Sequence, residues 1–353
     1  MVTRMRSYFE TRQSLRKVGH AWERLVARLW MHSTENPRSL TDAQQNEIRL
    51  FMVVRNEELR LPYTLKYYLG LGVDRIIVLE NYSEDRSYEI LKKTERVHVF
   101  RTRQSYAKHR SWIDMLLHLF GVGHWCIIVD ADELLVYPHM SKVKLRMFLN
   151  FLESRGWNAL HALLVDMYPR GPVDRLNYRS GEDFRRVCQF FDPPPYEAYP
   201  FVYPGCGRNF NTRYCGGARK RVFGKSVCIS EFPVVRFSRD IFLHYGRHSI
   251  ENAKIADVQA ALLHFKFLPD FPQRARTEAK RGVHWMGAEE FKVYVKTLEE
   301  KGTIDLWTEK SIQLKDEGQL LKLGILKSTP EYDFYASRLE RAARTNVDNV
   351  KVR

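Results

Sequence analysis

Asp130 and Asp132 stand one residue apart at the end of the run Trp125-Cys126-Ile127-Ile128-Val129, and Glu133 follows them. A short apolar run of this kind reads as a buried strand, so it hands two carboxylates to a strand end. Hard oxygen ligands placed there suit a divalent cation, Mg2+ or Mn2+, that bridges to phosphate oxygens. A D-x-D triplet arises about once by chance at ordinary composition, and the competing reading is a pair of solvated or helix-capping aspartates. The strand in front of the pair is what favours the cation.

A second set of residues could meet anions. Gly216-Gly217-Ala218-Arg219-Lys220-Arg221 joins backbone freedom to three cations, and Gly224 and Lys225 extend the same loop. This reads either as a phosphate cradle on the acceptor side or as a solvated hairpin tip. Lys266, in Leu262-Leu263-His264-Phe265-Lys266-Phe267, would add a phosphate contact.

These residues need a scaffold, and the chain can build one. With 353 residues, 44% of them hydrophobic, it can bury a full core, which excludes a disordered tail protein. The 57 Lys and Arg against 42 Asp and Glu give a formal +15, so an anionic partner is expected. Small anionic substrates come first, an anionic membrane surface second, and nucleic acid last. Five scattered cysteines without a CxxC pair fit a reducing compartment. The first twelve residues lack a signal-peptide core, and no run of 18 apolar residues occurs, so a cytoplasmic protein is expected.

From Glu47 onward, strand and helix patterns alternate. Apolar runs at 48–54, 75–79, 97–100 and 125–129 each end in a polar cluster. Helical spacing fills the gaps, as in Ala107, Trp112, Leu116 and Phe120. Such alternation predicts an α/β fold with a mostly parallel, doubly wound sheet, whose ligands sit beyond the carboxyl ends of the strands. A helix to Arg155 and a strand near 157–167 follow, then a long irregular stretch over 168–225, expected to serve the acceptor. Residues 286–345 return to helical patterning. Ahead of all this, Leu15, Val18, Trp22, Leu25, Val26, Leu29 and Trp30 repeat at helical spacing, with Arg12, Arg16, Lys17, Arg24 and Arg28 on other faces. This basic amphipathic helix, within residues 12–30, suits an anionic leaflet or a protein surface equally. A polar linker is expected from His32 to Asn46.

Several of these segments together resemble glycosyltransferase family 2, in the bacterial branch whose aspartate motif reads VDADE. They are Val53-Val54-Arg55-Asn56-Glu57-Glu58 with Leu61-Pro62-Tyr63, Leu71-Gly72-Val73-Asp74, Glu80-Asn81-Tyr82-Ser83-Glu84-Asp85, Gln104-Ser105-Tyr106 through Arg110-Ser111-Trp112, and Val122-Gly123-His124-Trp125 through Glu133. The resemblance is close over about 47–140 and looser to about 285. It implies the GT-A fold, which is Rossmann-like, a nucleotide-sugar donor, a Mn2+ or Mg2+ cofactor, and usually inversion at the anomeric carbon. It also implies that Arg55, Asn56, Glu57, Glu80, Asn81 and Asp85 hold the nucleoside, that Arg110 faces the diphosphate, and that Asp130 meets the ribose or the metal. Asp132 becomes a metal ligand, and His264 matches a late histidine that completes the metal site, with His244 as its competitor. The sequence departs from the family at Arg55 for Lys, Glu80 for Asp and Tyr82 for Gly. Ordinary turn chemistry is the alternative for the Asn, Ser and Asp residues among these.

Inversion also requires a general base for the acceptor hydroxyl. Asp166, after the strand-like Leu163-Leu164-Val165, is the candidate among the downstream acids Asp166, Asp183, Glu231 and Asp240. The expected organisation is a basic helix and linker over 1–46, a GT-A domain over 47–285 with a donor half at 47–140 and an acceptor half at 141–285, and a C-terminal helical extension over 286–353. The expected function is transfer of a sugar to a glycan or lipid-linked acceptor in cell-surface polysaccharide synthesis, on the inner face of the cytoplasmic membrane. A nucleotidyltransferase is the nearest rival, but it normally carries a Gly-rich basic loop after its first strand. A non-catalytic polyanion or nucleic-acid binder is the second rival.

Overall fold

The computed structural model describes residues 19–33, 40, 46–203, 205–206, 212–244 and 246–351. Leu15 and Val18 of the expected basic helix lie outside these residues, as does most of the expected linker. In chain order the first elements are a helix over 19–29 (α1), β1 (Met31–Ser33), β2 (Ile48–Val54), α2 (Leu61–Leu71), β3 (Arg75–Glu80), α3 (Ser87–Lys93), β4 (Val97–Thr102), α4 (His109–Phe120) and β5 (Trp125–Ile128). Next come β6 (Glu133–Val136), α5 (Leu145–Ser154), β7 (Ala159–Asp166), β8 (Phe190–Phe191), β9 (Glu197–Pro200), β10 (Thr212–Cys215) and α6 (Ala218–Phe223). The chain continues through β11 (Ser230–Arg236), β12 (Phe242–His244), β13 (Ser249–Glu251), β14 (Ile255–His264), α7 (Phe271–Arg281), α8 (Trp285–Lys301), β15 (Ile312–Gln313), α9 (Glu317–Lys322) and α10 (Pro330–Lys351).

Nine strands form one sheet in the order β1-β4-β3-β2-β5-β11-β7-β14-β6. The pairings make β2, β3, β4, β5, β7 and β14 run one way and β1, β11 and β6 the other. The four parallel donor-side strands are those the apolar runs announce. They read as largely apolar runs, interrupted by Arg49 in β2 and His98 in β4, because both faces are covered. In β2, Ile48, Leu50, Met52 and Val54 point into one core, and Phe51 and Val53 into another. Leu61, Leu65 and Tyr68 of α2, Phe148 and Leu152 of α5, and Tyr332 and Ala336 of α10 close the first core. Trp112, Met115, Leu116 and Phe120 of α4 close the second, with Ala27 of α1. Each fully buried aliphatic side chain on these faces contributes about 1.5–3 kcal/mol.

Local signals set the ends of the connecting helices. α2 has Pro62 in its first turn and stops at Gly72, whose φ of 105° is left-handed. α4 starts at His109, later than its apolar spacing suggests, because Ser105 caps a short 3-10 turn over Tyr106–Lys108. The expected linker is partly strand, since Met31–Ser33 pairs with β4 at the sheet edge. Sequence periodicity also missed β6 and β11, which are short or bulged strands. Both run against the parallel set, so each begins at the edge where the parallel strands end. That edge collects the polar clusters.

Candidate functional site

Register brings the central residues together. His264, the last residue of β14, lies opposite Asp166 of β7 on one side and Glu133 of β6 on the other. Its Nδ1 is 2.7 Å from Asp166 Oδ1, and its Nε2 is 3.5 Å from Asp132 Oδ2. The Phe265 amide donates to the Asp132 carbonyl at 2.7 Å, which holds the Asp130–Glu133 turn against the end of β14. Burial alone would raise the Asp132 pKa, but the adjacent His264 outweighs it and holds the carboxyl far below the usual range. Burial works against charge on His264 too, yet Asp132 and Asp166 together push its pKa up to about 9.

Asp166 has no room for a proton or an acceptor. One oxygen accepts from His264 and the other from Arg219 Nε at 2.9 Å, and the side chain is 2% exposed. Burial would raise its pKa, but Arg219 and His264 lower it below the ordinary value. Asp166, the expected general base, thus holds the His264 ring and Arg219. Of the other downstream acids, Asp183 caps the turn at 184–186 and pairs with Arg185, and Asp240 accepts from Ser238. His244, the rival to His264, pairs with Glu251 in the separate β12–β13 hairpin.

Asp130 differs from its neighbour. Its side chain is 59% exposed, with Arg247 Nη1 at 3.8 Å. Glu133, buried beside it, accepts the Asp130 amide at 2.8 Å and takes Arg247 through both oxygens at 2.7 and 2.8 Å. Asp132 and His264 are thus brought within one cation's reach, while Asp130 faces solvent and Arg247. Among the described residues no group of three or more His, Cys, Asp or Glu side chains is arranged as a metal cage.

On the donor side, the loops after β2 and β3 are tied to each other. Ser83 Oγ accepts the Asn56 amide at 3.0 Å, Asn56 Oδ1 the Glu84 amide at 2.8 Å, and Asp85 Oδ2 the Glu58 amide at 3.0 Å. Arg55 donates to the Asn81 carbonyl at 2.7 Å, and Asn81 Nδ2 donates to the Thr102 and Gln104 carbonyls. Glu80 accepts from Arg101 at 2.6 Å and from the Ser83 amide. Tyr82 keeps a left-handed φ of 46°. That conformation normally costs a non-glycine residue about 1–3 kcal/mol, and the guanidinium carbons of Arg101 and Arg103, 4.0 and 3.8 Å from the ring centroid, offset part of it.

Glu57 belongs to a buried ion network that spacing does not reveal. It takes Arg274 of α7 through both oxygens and lies 3.5 Å from Arg60, which donates to both oxygens of Asp270 at 2.7 and 2.8 Å. Burial pushes the Glu57 pKa up against the pull of Arg274 and Arg60. Arg110 sits in the first turn of α4, partly buried. Nearby, the Tyr106 ring stacks on His109 and meets His284 at 5.1 Å, so the segment ahead of α4 lies under the α7–α8 region.

The cations of the basic run are paired within the protein. The run is a short helix, α6, in which Arg219 is spent on Asp166 and Glu290, Lys220 on Glu197, and Arg221 on both oxygens of Asp192. Lys225 pairs with Glu289 at 2.5 Å, and Lys266 lies 3.8 Å from Glu290 and over Phe291 and Tyr294. An entering phosphate would have to displace carboxylates. A concavity of about 350 Å3 exists elsewhere, at the opposite end of the sheet between Ile48, Trp125 and α5, far from these groups.

Sequence reasoning missed Arg60, Arg247, His248, Asp270, Arg274 and Glu290. The only local hint was Glu133, next to the aspartate pair, and its partner Arg247 is 114 positions away.

Residues 50–146 match the family model described as Glycosyl transferase family 2, the family that the motifs resemble. No curated protein matches the chain. Among solved structures it is similar to 4-diphosphocytidyl-2C-methyl-D-erythritol synthase from Anaerococcus prevotii DSM 20548, at 16% identity and a TM-score of 0.24, covering 38% of this chain and 61% of that one. The chain therefore spans less than two thirds of that protein. A second structure of a 4-diphosphocytidyl-2C-methyl-D-erythritol synthase matches at 10% identity and a TM-score of 0.26, over 80% of this chain and 99% of that one. HddC from Yersinia pseudotuberculosis matches at 12% identity and a TM-score of 0.25, over 64% and 80% respectively.

Proposed function

We propose, on the premise that residues 50–146 form a glycosyl transferase family 2 segment, that this protein is a metal-dependent glycosyltransferase moving a sugar from a nucleoside-diphosphate donor to a glycan or lipid-linked acceptor, with inversion. The observation that carries the reading is the approach of Asp132 Oδ2 to His264 Nε2, 3.5 Å apart where the parallel strands end. A carboxylate oxygen and an imidazole nitrogen so placed fit Mn2+ or Mg2+, which complete their shells with water and donor phosphates. When bound, the cation would neutralise the charge that grows on the diphosphate as the anomeric bond breaks.

The protein's own groups supply the rest. Asp132 stays ionised, and Asp166 takes the Nδ1–H of His264, so the ring presents Nε2 to the cation. Arg110 at the start of α4 is the group to clamp the diphosphate, and exposed Asp130 the one to meet the ribose. Arg55, Asn56, Glu57, Glu80, Asn81 and Asp85 frame the nucleoside by holding their two loops in place. Nucleotidyl transfer would call for glycines after the first strand, where this chain has Arg55-Asn56-Glu57-Glu58.

For location, no described helix is long and apolar enough to cross a membrane. α1 supports a peripheral role on an anionic leaflet, consistent with a cell-surface glycan product. Arg24 pairs with Asp114 of α4 at 2.9 Å and Ala27 is buried, whereas Trp22, Leu25, Leu29 and Trp30 are 66%, 48%, 72% and 56% exposed. Those four side chains, with Arg28 exposed among them, suit the headgroup boundary.

The decisive experiment offers a panel of nucleotide sugars to the full chain with Mn2+ and with EDTA, and compares Asp132→Ala. Manganese-dependent release of a nucleoside diphosphate that the variant loses is the expected result. Turnover that survives in EDTA or in the variant would overturn the metal assignment, and no turnover or nucleotide binding across the panel would overturn the reading.

A further inference from the structure

Inversion leaves one role unfilled, the group that takes the acceptor's proton. The buried acids along the strand-end edge are already committed. Asp132 is held by His264, Asp166 by His264 and Arg219, Glu57 by Arg60 and Arg274, Glu80 by Arg101, and Glu133 by Arg247. One titratable group beside them is built differently. His248 Nδ1 lies 3.1 Å from the Ser230 carbonyl and 3.1 Å from Glu231 Oε1. Both neighbours only accept hydrogen bonds, so Nδ1 carries the proton and Nε2 keeps its lone pair. Nε2 has no partner among the described residues, and the side chain is 35% exposed, enough to meet a bound hydroxyl.

Its position follows from the residue before it. Arg247 is tied to Glu133 through both oxygens, stands 3.8 Å from Asp130, and reaches Glu231 at 3.3 Å. The loop carrying His248 is thereby fastened to the aspartate motif, and Glu231 near the start of β11 orients the ring from below. Glu231 is the charged group that the ring meets, and Glu133 and Asp130 pair with Arg247, the residue before it.

We propose that His248, positioned by Glu231, is the general base that activates the acceptor; this rests on the glycosyl-transfer reading above. In the step, the acceptor oxygen forms the new bond to the anomeric carbon as the bond from that carbon to the diphosphate oxygen breaks. The bonding pair leaves with the diphosphate, the hydroxyl proton moves to His248 Nε2, and Glu231 stabilises the imidazolium through Nδ1–H.

The test uses the full chain with the donor that the panel identifies. His248→Gln is expected to lower kcat by about 10²-fold or more, while calorimetry shows unchanged binding of the corresponding nucleoside diphosphate with Mn2+. Glu231→Gln, nearly isosteric, should lower kcat with KM little changed, a split that a merely structural role would not produce. A His248→Gln enzyme with wild-type kcat would overturn the proposal and leave the glycosyltransferase reading standing. A wild-type protein that neither binds nor turns over any nucleotide sugar would overturn both.

Discussion

Asp166 Oδ1 sits 2.7 Å from His264 Nδ1, and this single hydrogen bond decides what each residue can do. It occupies one oxygen of Asp166 and leaves the other imidazole nitrogen toward Asp132. Adjacent parallel strands place the two side by side, since His264 and Asp166 are register partners. A carboxylate behind a ligating imidazole sets the tautomer and raises the basicity of the ligating nitrogen.

If that is its role, Asp166→Asn should weaken Mn2+ binding by roughly 10–100-fold. Titration calorimetry with Mn2+ on wild type and variant reads it directly. Equal affinities would mean that the bond only packs the strand ends.

Without a cation, His264 titrates at about 9 instead of 6.5. A group whose folded pKa is raised stabilises the native state fully below pH 6.5, and that contribution disappears as pH rises through about 9. Asp132, whose carboxyl is depressed, loses its contribution only in acid. The Tm measured in EDTA should therefore fall over that alkaline window, and His264→Gln should flatten the fall. Parallel curves for the two proteins would place its origin elsewhere.

Arg60 is completely buried between Asp270 and Glu57. Arg60→Met would take both hydrogen bonds from Asp270 and leave Glu57 with Arg274 alone, at a cost of about 1.5–3 kcal/mol. Denaturant unfolding measures the loss. A change below about 1 kcal/mol would show that these ions remain hydrated and that the network does not clamp α7 to the start of α2.

Leu25→Glu combined with Leu29→Glu adds two charges to the outward stripe of α1 without touching Ala27 or Arg24. Wild-type protein should float with vesicles of phosphatidylglycerol and phosphatidylcholine, less so as salt rises, and the double variant should stay behind. Equal flotation of both would exclude α1 as the contact.

What could be read from the chain alone was local. Largely apolar runs announced β2, β3, β4 and β5 because a strand buried on both faces is mostly apolar. Asp130 and Asp132 could be seen because they directly follow one of those strands. Helical spacing marked α4 and α10 for the same reason, each element carrying its own period. The pairing of charges was not local. Arg219 looked like part of an anion cradle until folding set it against Asp166, 53 positions away, and His248 gave no signal until Glu231 and the Ser230 carbonyl fixed its tautomer. A side chain's charge is written in its residue type, but whether that charge is free, neutralised or aimed depends on which strands end beside it. Only the tertiary structure decides that, because desolvation and Coulomb attraction act across space and not along the chain.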